Sequence, residues 1–431
     1  MTIKTDSSDS ASIKPILAAL AKRVPKARLA EAQAFATAFY RRMSGDEFAQ
    51  HAAEGWAELA ADMLEFARAR KRGKANVRLF NPAMKEDGWE SPHTVVQVVN
   101  DDMPFLVDSV TMALAEQGIG VHVLGHPVMS IARDKAGKLT AVGEGALESF
   151  IHLEVDRQPQ AAMAAIKAAI DKVLDDVRSI VVDWDPMHAK MLEVADGLAE
   201  RRMPVSEEGK REAQEFLRWA ANDHFTFLGY REYTTAKQGS EDVLVAVDGS
   251  GLGILRAQEA RPRPLKSLAA RDVPDSEGGK VVIITKTNAR SNVHRPGYMD
   301  YIGILRFDAN GKPVAEERFL GLFTSSAYTA RPWDIPLVRR KYESVMRDSG
   351  LKPAGHSGKA LRHILETLPR DEMLQAATGE IYETAMSVLA LQERARTRLF
   401  LRRDIYGRFY SCLVFLPRDR FTQADRKSTR L

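Results

Sequence analysis

The sequence predicts an α+β fold, because a strand–helix–strand segment stands early in the chain and strand-like runs dominate its middle. In residues 98–122, an apolar strand ends at the acidic turn 100–102, and Pro104 then opens a helix. That helix ends at Gly118, before a second apolar strand. Pro near the start of a helix and Gly just past its end form the usual asymmetry of helix termini.

Two regions precede this segment. Residues 1–27 begin with a polar run and are predicted to form a disordered tail, and residues 28–74 are predicted to form a helical lead-in. In the second helix of the lead-in, Trp56, Leu59, Met63 and Phe66 recur at spacings of three and four. This spacing places them on one stripe of a helix, so we expect them to face the core.

Residues 75–202 are predicted to form the first domain. Strands are expected at 93–100, 119–133 and 148–155, helices at 103–117 and 158–175, and a closing strand at 177–182. This βαββαβ order gives an antiparallel sheet with both helices on one face.

Residues 205–330 are predicted to form a second, mainly antiparallel α+β domain in which one helix precedes the strands. The strand-like runs are 225–234, 242–247, 280–287, 300–308 and 313–324. Residues 331–396 form a helical connector in this prediction. Strand character returns in 397–424, with a turn at 406–408.

The last seven residues, 425–431, have a different origin in our interpretation. They match the translation of a common sequencing-library adapter and interrupt the preceding pattern abruptly. We therefore expect the natural sequence to depart from this one near Ala424.

The composition is that of an ordinary globular chain. Its 431 residues carry a formal charge of +4, with 45% hydrophobic and 28% charged residues, so the charge predicts neither nucleic-acid nor membrane partners. Cys412 stands alone, which excludes an intramolecular disulfide. Its strand-like surroundings predict a buried, inert thiol. The polar N-terminus and the lack of a bilayer-length apolar run predict a cytoplasmic location.

The sequence offers no convincing catalytic, cofactor or metal site. The glycines of 249–253 have the wrong spacing for a dinucleotide-binding turn and predict a β-turn instead. Residues 355–360 predict a loop that opens a helix. His122 and His126 lie four apart on a predicted strand, which favours a structural or solvent-exposed role over a metal site. His224 is expected to cap or to bridge into the second domain.

The run from Asn100 to Ser109 resembles the opening of an ACT domain. Several further motifs occur in one order: 126–127, 150–152, 223–230, 295–298, 319–325 and 401–409. Together they resemble the N-terminal segment of the large bacterial NAD-specific glutamate dehydrogenases, over residues 30–424. The resemblance implies that 75–202 is ACT-like, 205–330 PAS-like, and 397–424 the start of a second ACT-like unit.

The same resemblance implies an effector site. In ACT domains, the N–H groups at this helix start hold the carboxylate of an amino acid, near the positive end of the helix dipole. The expected residues here are Asn100, Asp101, Asp102, Asp108 and Ser109, and Asp102 or Asp108 would bind the ammonium group.

A structural interpretation of the same residues stays open. Asp101 or Asp102 would be the N-cap of the helix. Phe105, which stands where the ACT pattern has Gly, would be a core residue.

The resemblance implies a regulatory and assembly segment, truncated before the catalytic domain of a homo-oligomeric enzyme. The parent protein would oxidise L-glutamate to 2-oxoglutarate and ammonia with NAD as cofactor, and the missing catalytic domain would be this segment's partner. The competing hypothesis is a free-standing ACT/PAS sensor of amino acids. A domain that stops before its sheet is complete argues against the sensor, because it would leave an unpaired strand edge.

Overall fold

The structure, a computed structural model, describes residues 9–41, 43, 48, 51–259, 262–264, 281–391, 394 and 396–417. The chain divides into two compact units. The first comprises Met1–Val181 and Asn292–Pro296, and the second comprises Val182–Ser291 and Gly297–Leu431. The division therefore lies at Val181, and the predicted boundary at 202–205 is wrong. The predicted α+β class with antiparallel sheets is confirmed.

In the described residues, the first unit begins with the helices α1 (Asp9–Arg23), α2 (Lys26–Phe39) and α3 (Ala53–Phe66). The prediction of a disordered tail over 1–27 is wrong from Asp9 onward. Ile16 and Leu20, four residues apart on α1, are both buried, and this apolar stripe ties the helix to the core. Residues 1–8 lie outside the described residues.

The rest of the first unit consists of an antiparallel sheet and the helices that connect and follow its strands. In chain order they are β1 (Asn76–Phe80), α4 (Met84–Asp87), β2 (Thr94–Asp101), α5 (Leu106–Glu116), β3 (Val121–Gly125), β4 (Val128–Arg133), β5 (Leu139–Val142), β6 (Ala146–Val155) and α6 (Gln160–Val182). The strand order is β1-β2-β6-β4-β5, and β3 also pairs with β6.

The predicted closing strand at 177–182 is wrong, because these residues complete helix α6. Val173, Val177 and Ile180 are buried at helical spacing, so the stripe of the helix continues to its end. The edge beside β2 is occupied instead by β1, with Val77 opposite Val98.

Both faces of the sheet are buried. Val95, Val99 and Phe150 pack with α1, α2 and α3 on one face, in a cluster that also contains Trp56, Leu59 and Met63, as predicted. Val96 and Val98 alternate with these residues, so they lie on the opposite face. Arg178 of α6 bonds to Asn100, which shares that face. The lead-in helices thus cover the sheet face on which the sequence predicted no helix.

The second unit begins with α7 (Trp184–Gly197) and α8 (Glu207–Trp219), followed by a kinked turn (Ala220–His224). Its strands are β7 (Phe225–Gln238), β8 (Glu241–Ala246), β9 (Leu252–Gly253), β10 (Arg263–Pro264), β11 (Val282–Arg290), β12 (Tyr298–Phe307) and β13 (Pro313–Phe323). Their order is β10-β8-β7-β13-β12-β11, all antiparallel, and β9 pairs with β7.

The two faces of this sheet differ in character. Phe227, Ile302 and Phe319 belong to a large apolar core. On the other face, the buried guanidinium of Arg318 lies 3.8 Å from the ring centre of Tyr233 and donates to Glu316 over 2.7 Å. The pairing explains how these polar side chains are buried in a sheet.

Helices follow the sheet, as predicted for 331–396. They are α9 (Ser325–Thr329), a 3-10 turn (Pro332–Asp334), α10 (Val338–Asp348), α11 (His356–Thr367), α12 (Arg370–Gln375) and α13 (Thr378–Leu391). Lys341 is buried on α10 and its ammonium group donates to the carbonyls of Met373, Leu374 and Ala376. In the part of the chain that the structure describes, no helix is long and apolar enough to cross a lipid bilayer.

The chain then forms a hairpin of β14 (Arg398–Arg403) and β15 (Tyr410–Phe415). Cys412 on β15 is exposed, so the prediction of a buried thiol is wrong. Leu399 and Leu401 are also exposed, and Val414 and Cys412 are their register partners. Side chains alternate along a strand, so these residues lie on one face of the hairpin. The predicted adapter residues 425–431 lie outside the described residues.

Candidate functional site

The predicted effector site lies where β2 ends and α5 begins. Phe105 precedes the helix with φ of 72°, a left-handed backbone conformation that residues other than glycine rarely adopt. Its carbonyl accepts the N–H of Ser109 at 3.0 Å, which closes the first turn. Phe105 is therefore the N-cap residue, and the prediction that Asp101 or Asp102 caps the helix is wrong.

Asn100 and Asp101 are held by arginines. Arg178 donates to Asn100 Oδ1 over 2.6 Å and to Asp101 Oδ2 over 2.8 Å. Arg70 donates to Asp101 Oδ1 over 2.7 Å, and the N–H of Gly73 donates to the same carboxylate. Burial alone raises the pKa of Asp101, but these hydrogen bonds outweigh it and hold the pKa below its ordinary value. Asp101 is thus committed to structural ion pairs.

The same network extends to the fully buried Glu148. Arg133 and Arg70 both donate to its two oxygens, at 2.7 to 3.3 Å. Burial raises the pKa of Glu148, and the two guanidinium groups lower it further than burial raises it. The sequence did not predict this role for Glu148, Arg70 and Arg133, because nothing near them in the chain marks them as partners of the 100–102 turn.

Asp102 and Asp108 remain on the surface. Asp102 is exposed and accepts the hydroxyl of the buried Ser149 over 2.6 Å, while His126 Nε2 lies 3.2 Å from the same hydroxyl oxygen. Asp108 is exposed in the first turn of α5. Both carboxylates are therefore exposed to solvent near the start of α5.

Ser109 is fully buried and contacts a segment that is distant in sequence. Its hydroxyl oxygen accepts the backbone N–H of His294 at 3.1 Å, across 185 positions. The His294 ring lies against Phe105, with 4.8 Å between ring centres. The structure therefore joins Ser109 and Phe105 to His294, a residue that no local pattern indicated.

Two nitrogen atoms here are buried without a hydrogen-bond partner among the described residues. They are Nδ2 of Asn100, a residue with 1% of its surface exposed, and Nδ1 of His294. Buried polar groups are normally satisfied by protein or by ordered water. These two nitrogen atoms are therefore exceptions among the described residues.

Two other histidines that the sequence singled out, His122 and His224, make structural contacts. His122 Nε2 lies 2.7 Å from Asp156 and its ring stacks on His93. His224 donates from Nδ1 to the carbonyl of Trp219 at 2.8 Å and stacks on its ring, so it caps locally, as predicted. Within the described part of the chain, no three His, Cys, Asp or Glu side chains are grouped to hold a metal ion.

The glycine-rich candidates have the predicted local structures. The 249–253 segment turns into the short strand β9, which pairs with β7. Gly355 is the N-cap of α11 and follows helix α10 in the chain, whereas a dinucleotide-binding turn follows a strand.

Three parts of the chain match family models. Residues 35–170 match the glutamate dehydrogenase ACT1 domain, 335–394 match glutamate dehydrogenase helical motif 1, and 398–430 match the glutamate dehydrogenase ACT2 domain. Curated relatives extend the likeness over almost the whole chain. A NAD-specific glutamate dehydrogenase of Halomonas elongata is 37% identical over 425 residues. The chain belongs to the NAD-specific glutamate dehydrogenase family.

Other members of this family are also similar to the chain in sequence. The NAD-specific glutamate dehydrogenase of Pseudomonas aeruginosa is 36% identical over 418 residues, and that of Mycobacterium tuberculosis is 29% identical over 342 residues. The first two matches cover 95% of this chain but only 26% of each relative. The chain thus spans about a quarter of the length of the glutamate dehydrogenases that it matches.

Proposed function

We propose that this chain is the regulatory and assembly segment of a NAD-dependent glutamate dehydrogenase. The observation that carries the proposal is the identity of the matched modules, which are two ACT domains and a helical motif of this enzyme family. The exposed carboxylates at the start of α5 support a response to an amino acid. The residues of this chain then bind and orient, and the chemistry belongs to another part of the parent protein.

The parent protein oxidises L-glutamate in this proposal. L-glutamate, NAD⁺ and water give 2-oxoglutarate, ammonium, NADH and a proton, with hydride passing from the α-carbon of glutamate to NAD⁺. The partner of this segment is the catalytic domain of the same polypeptide, and the enzyme is a cytoplasmic homo-oligomer. The helix α8 followed by an antiparallel sheet supports a PAS-like identity for the second unit.

The test compares three proteins: the parent enzyme, the parent without residues 1–424, and the 431-residue chain. We expect NADH formation from L-glutamate by the parent and none by the chain alone. Removal of residues 1–424 should change the oligomeric mass or abolish the response of the rate to added amino acids. NADH formation by the chain alone, or a deletion that alters neither property, contradicts the proposal.

A further inference from the structure

The second unit contains a cavity of about 360 Å³ between helix α13 and the β14–β15 hairpin. One wall consists of α12 and α13, and the other consists of the hairpin. The first wall belongs to the segment that matches helical motif 1, and the second belongs to the segment that matches the ACT2 domain. The cavity therefore lies at the joint between two modules of the family, and its volume is at the lower end of the range of small-molecule pockets.

An ion pair already connects the two walls. Arg402 of β14, with 8% of its surface exposed, donates to the carboxylate oxygens of Glu372 on α12 over 2.8 and 3.2 Å, and Ser411 also donates to Glu372. Burial raises the pKa of Glu372, but these hydrogen bonds outweigh it and hold the pKa below its ordinary value. Both charges are thus committed to holding the hairpin against α12.

The polar side of α13 lines the same cavity. Glu380, Glu383, Thr384 and Ser387 recur at spacings of three and four, so they lie on one face of the helix. Arg398, at the start of β14, lines the cavity from the other wall. Among the described residues, neither the carboxylate of Glu383 nor the guanidinium group of Arg398 has a hydrogen-bond or ion-pair partner. The cavity thus has an unpaired negative charge on one wall and an unpaired positive charge on the other.

Apolar side chains complete the lining. Ile381 is buried on α13, Leu368 is buried at the end of α11, and Leu413 of β15 packs against the same core. A cavity that combines apolar side chains with a few charged groups has the usual composition of a small-molecule site. Opposite charges on facing walls match a zwitterion, whereas a simple anion or cation would leave one of the two charges unpaired.

We propose that this cavity binds a free α-amino acid with an apolar side chain. The ammonium group of the amino acid pairs with Glu383 and its carboxylate pairs with Arg398, while its side chain contacts Ile381 and Leu413. This inference rests on the proposed regulatory function and names the ligand class and its place in the chain.

The bound amino acid connects the helical motif to the ACT2 hairpin. A ligand that contacts both walls stabilises the arrangement in which they are close, and it reduces local opening of the hairpin. The cavity thereby provides a means by which an amino acid changes the coupling between two modules of the enzyme.

Calorimetric titration of the 431-residue chain tests the ligand class. The probes are L-leucine, L-valine, L-methionine and L-phenylalanine, and we expect at least one of them to bind. The amino acid that binds most tightly is then compared with the same molecule lacking its ammonium group and lacking its carboxylate, which for L-leucine are isocaproate and isoamylamine. Each of these analogues should bind about 10-fold more weakly or less, because it loses one charge-assisted pair.

Hydrogen exchange followed by mass spectrometry locates the bound amino acid. In the presence of the amino acid that binds most tightly, we expect slower exchange in the peptides that contain α13 and β14. The peptide that spans the start of α5 should exchange at an unchanged rate.

Two variants test the charged contacts. Glu383→Gln and Arg398→Gln should each weaken binding about 10-fold or more, since each removes one charge of the site. Both side chains are exposed and without a partner among the described residues, so we expect both variants to fold. The matched controls Glu144→Gln and Arg72→Gln, at exposed positions of the first unit, should leave the affinity unchanged.

The inference is overturned if none of the named amino acids binds, if the analogues with a single charge bind as tightly as the zwitterion, or if Glu383→Gln and Arg398→Gln bind like the wild type. Binding that Asp108→Asn weakens while both cavity variants are unaffected places the ligand at α5 and also contradicts the inference. A chain that binds no apolar amino acid can still alter assembly in the deletion experiment above. Failure of the cavity inference is thereby distinguishable from failure of the proposed function.

Discussion

At the scale of single residues, the first unit depends on charges that are buried together. Arg70, Arg133 and Glu148 have almost no exposed side-chain surface, and Asp101 and Arg178 complete the group at its edge. Taking such charges out of water is costly, and only close pairing repays that cost. Removing one partner leaves the others buried and unpaired, which costs more free energy than the pair contributes in isolation.

Replacement of Glu148 should therefore destabilise the protein strongly. We expect Glu148→Gln to lower the free energy of unfolding at pH 7 by roughly 3–5 kcal/mol, measured by urea denaturation. The matched control Glu144→Gln, at an exposed carboxylate, should stay within about 0.5 kcal/mol of the wild type. Equal midpoints for the two variants would show that the network does not stabilise the fold.

The same carboxylate predicts a pH dependence. The pKa of Glu148 is lower in the folded chain than its ordinary value of 4.5, so the unfolded chain binds the proton more readily. The stabilisation is complete above about pH 4.5 and is lost as the pH falls through the folded-state pKa. Glu148→Gln, which cannot ionise there, should show a smaller loss of stability between pH 5 and pH 3 in the same urea titrations.

At the scale of elements, close strand contacts define the sheet of the second unit. The pairing of β7 with β13 shifts register between Leu320 and Gly321, and Gly321 lies directly against β7. A methyl group at this position would overlap the carbonyl oxygen of Thr226 and the ring of Phe225. Glycine is therefore required by a close backbone approach.

Two glycine-to-alanine variants test this requirement. Gly321→Ala should lower the free energy of unfolding by roughly 1–3 kcal/mol, because the strands must separate to admit the methyl group. Gly379→Ala, in the first turn of α13 with no atom within 4 Å of the new methyl group, should leave stability unchanged or slightly raised. Thermal unfolding of both variants beside the wild type gives the comparison, and a tolerated Gly321→Ala would refute the steric argument.

At the scale of the whole molecule, the β14–β15 hairpin differs from the two sheets. The sheets have buried side chains on both faces, whereas one side of the hairpin exposes Leu399, Leu401, Tyr410 and Val414. Cys412 lies on the same side and is the single thiol of the chain. Its chemical reactivity therefore reports whether this face is open in solution.

Thiol labelling measures that accessibility. The native 431-residue chain should react with one equivalent of Ellman's reagent at nearly the rate of the urea-unfolded chain, because the strand side chain of Cys412 points away from the packed side of the hairpin. Cys412→Ser should give no signal. A thiol that reacts only after denaturation would mean that this face is covered in solution.

The sequence by itself determined the elements and the family. Pro104 and Gly118 bracket α5 because their backbone preferences act locally, and the strand-like runs of the second unit became β7, β8 and β11 to β13. The ordered motifs identified the family, since they are read along the chain. The 177–182 segment was misassigned because its β-branched residues also continue a helical stripe, and burial against the sheet decided between the two.

Only the tertiary structure decided which distant residues meet. The predicted effector site comprises Asn100, Asp101, Asp102, Asp108 and Ser109, and the fold commits Asn100 and Asp101 to arginines. It also placed His294 on Ser109 across 185 positions. Local patterns record backbone preference and periodicity, whereas such contacts depend on how whole elements pack. The contact between His294 and Ser109 therefore became visible only when the chain was folded.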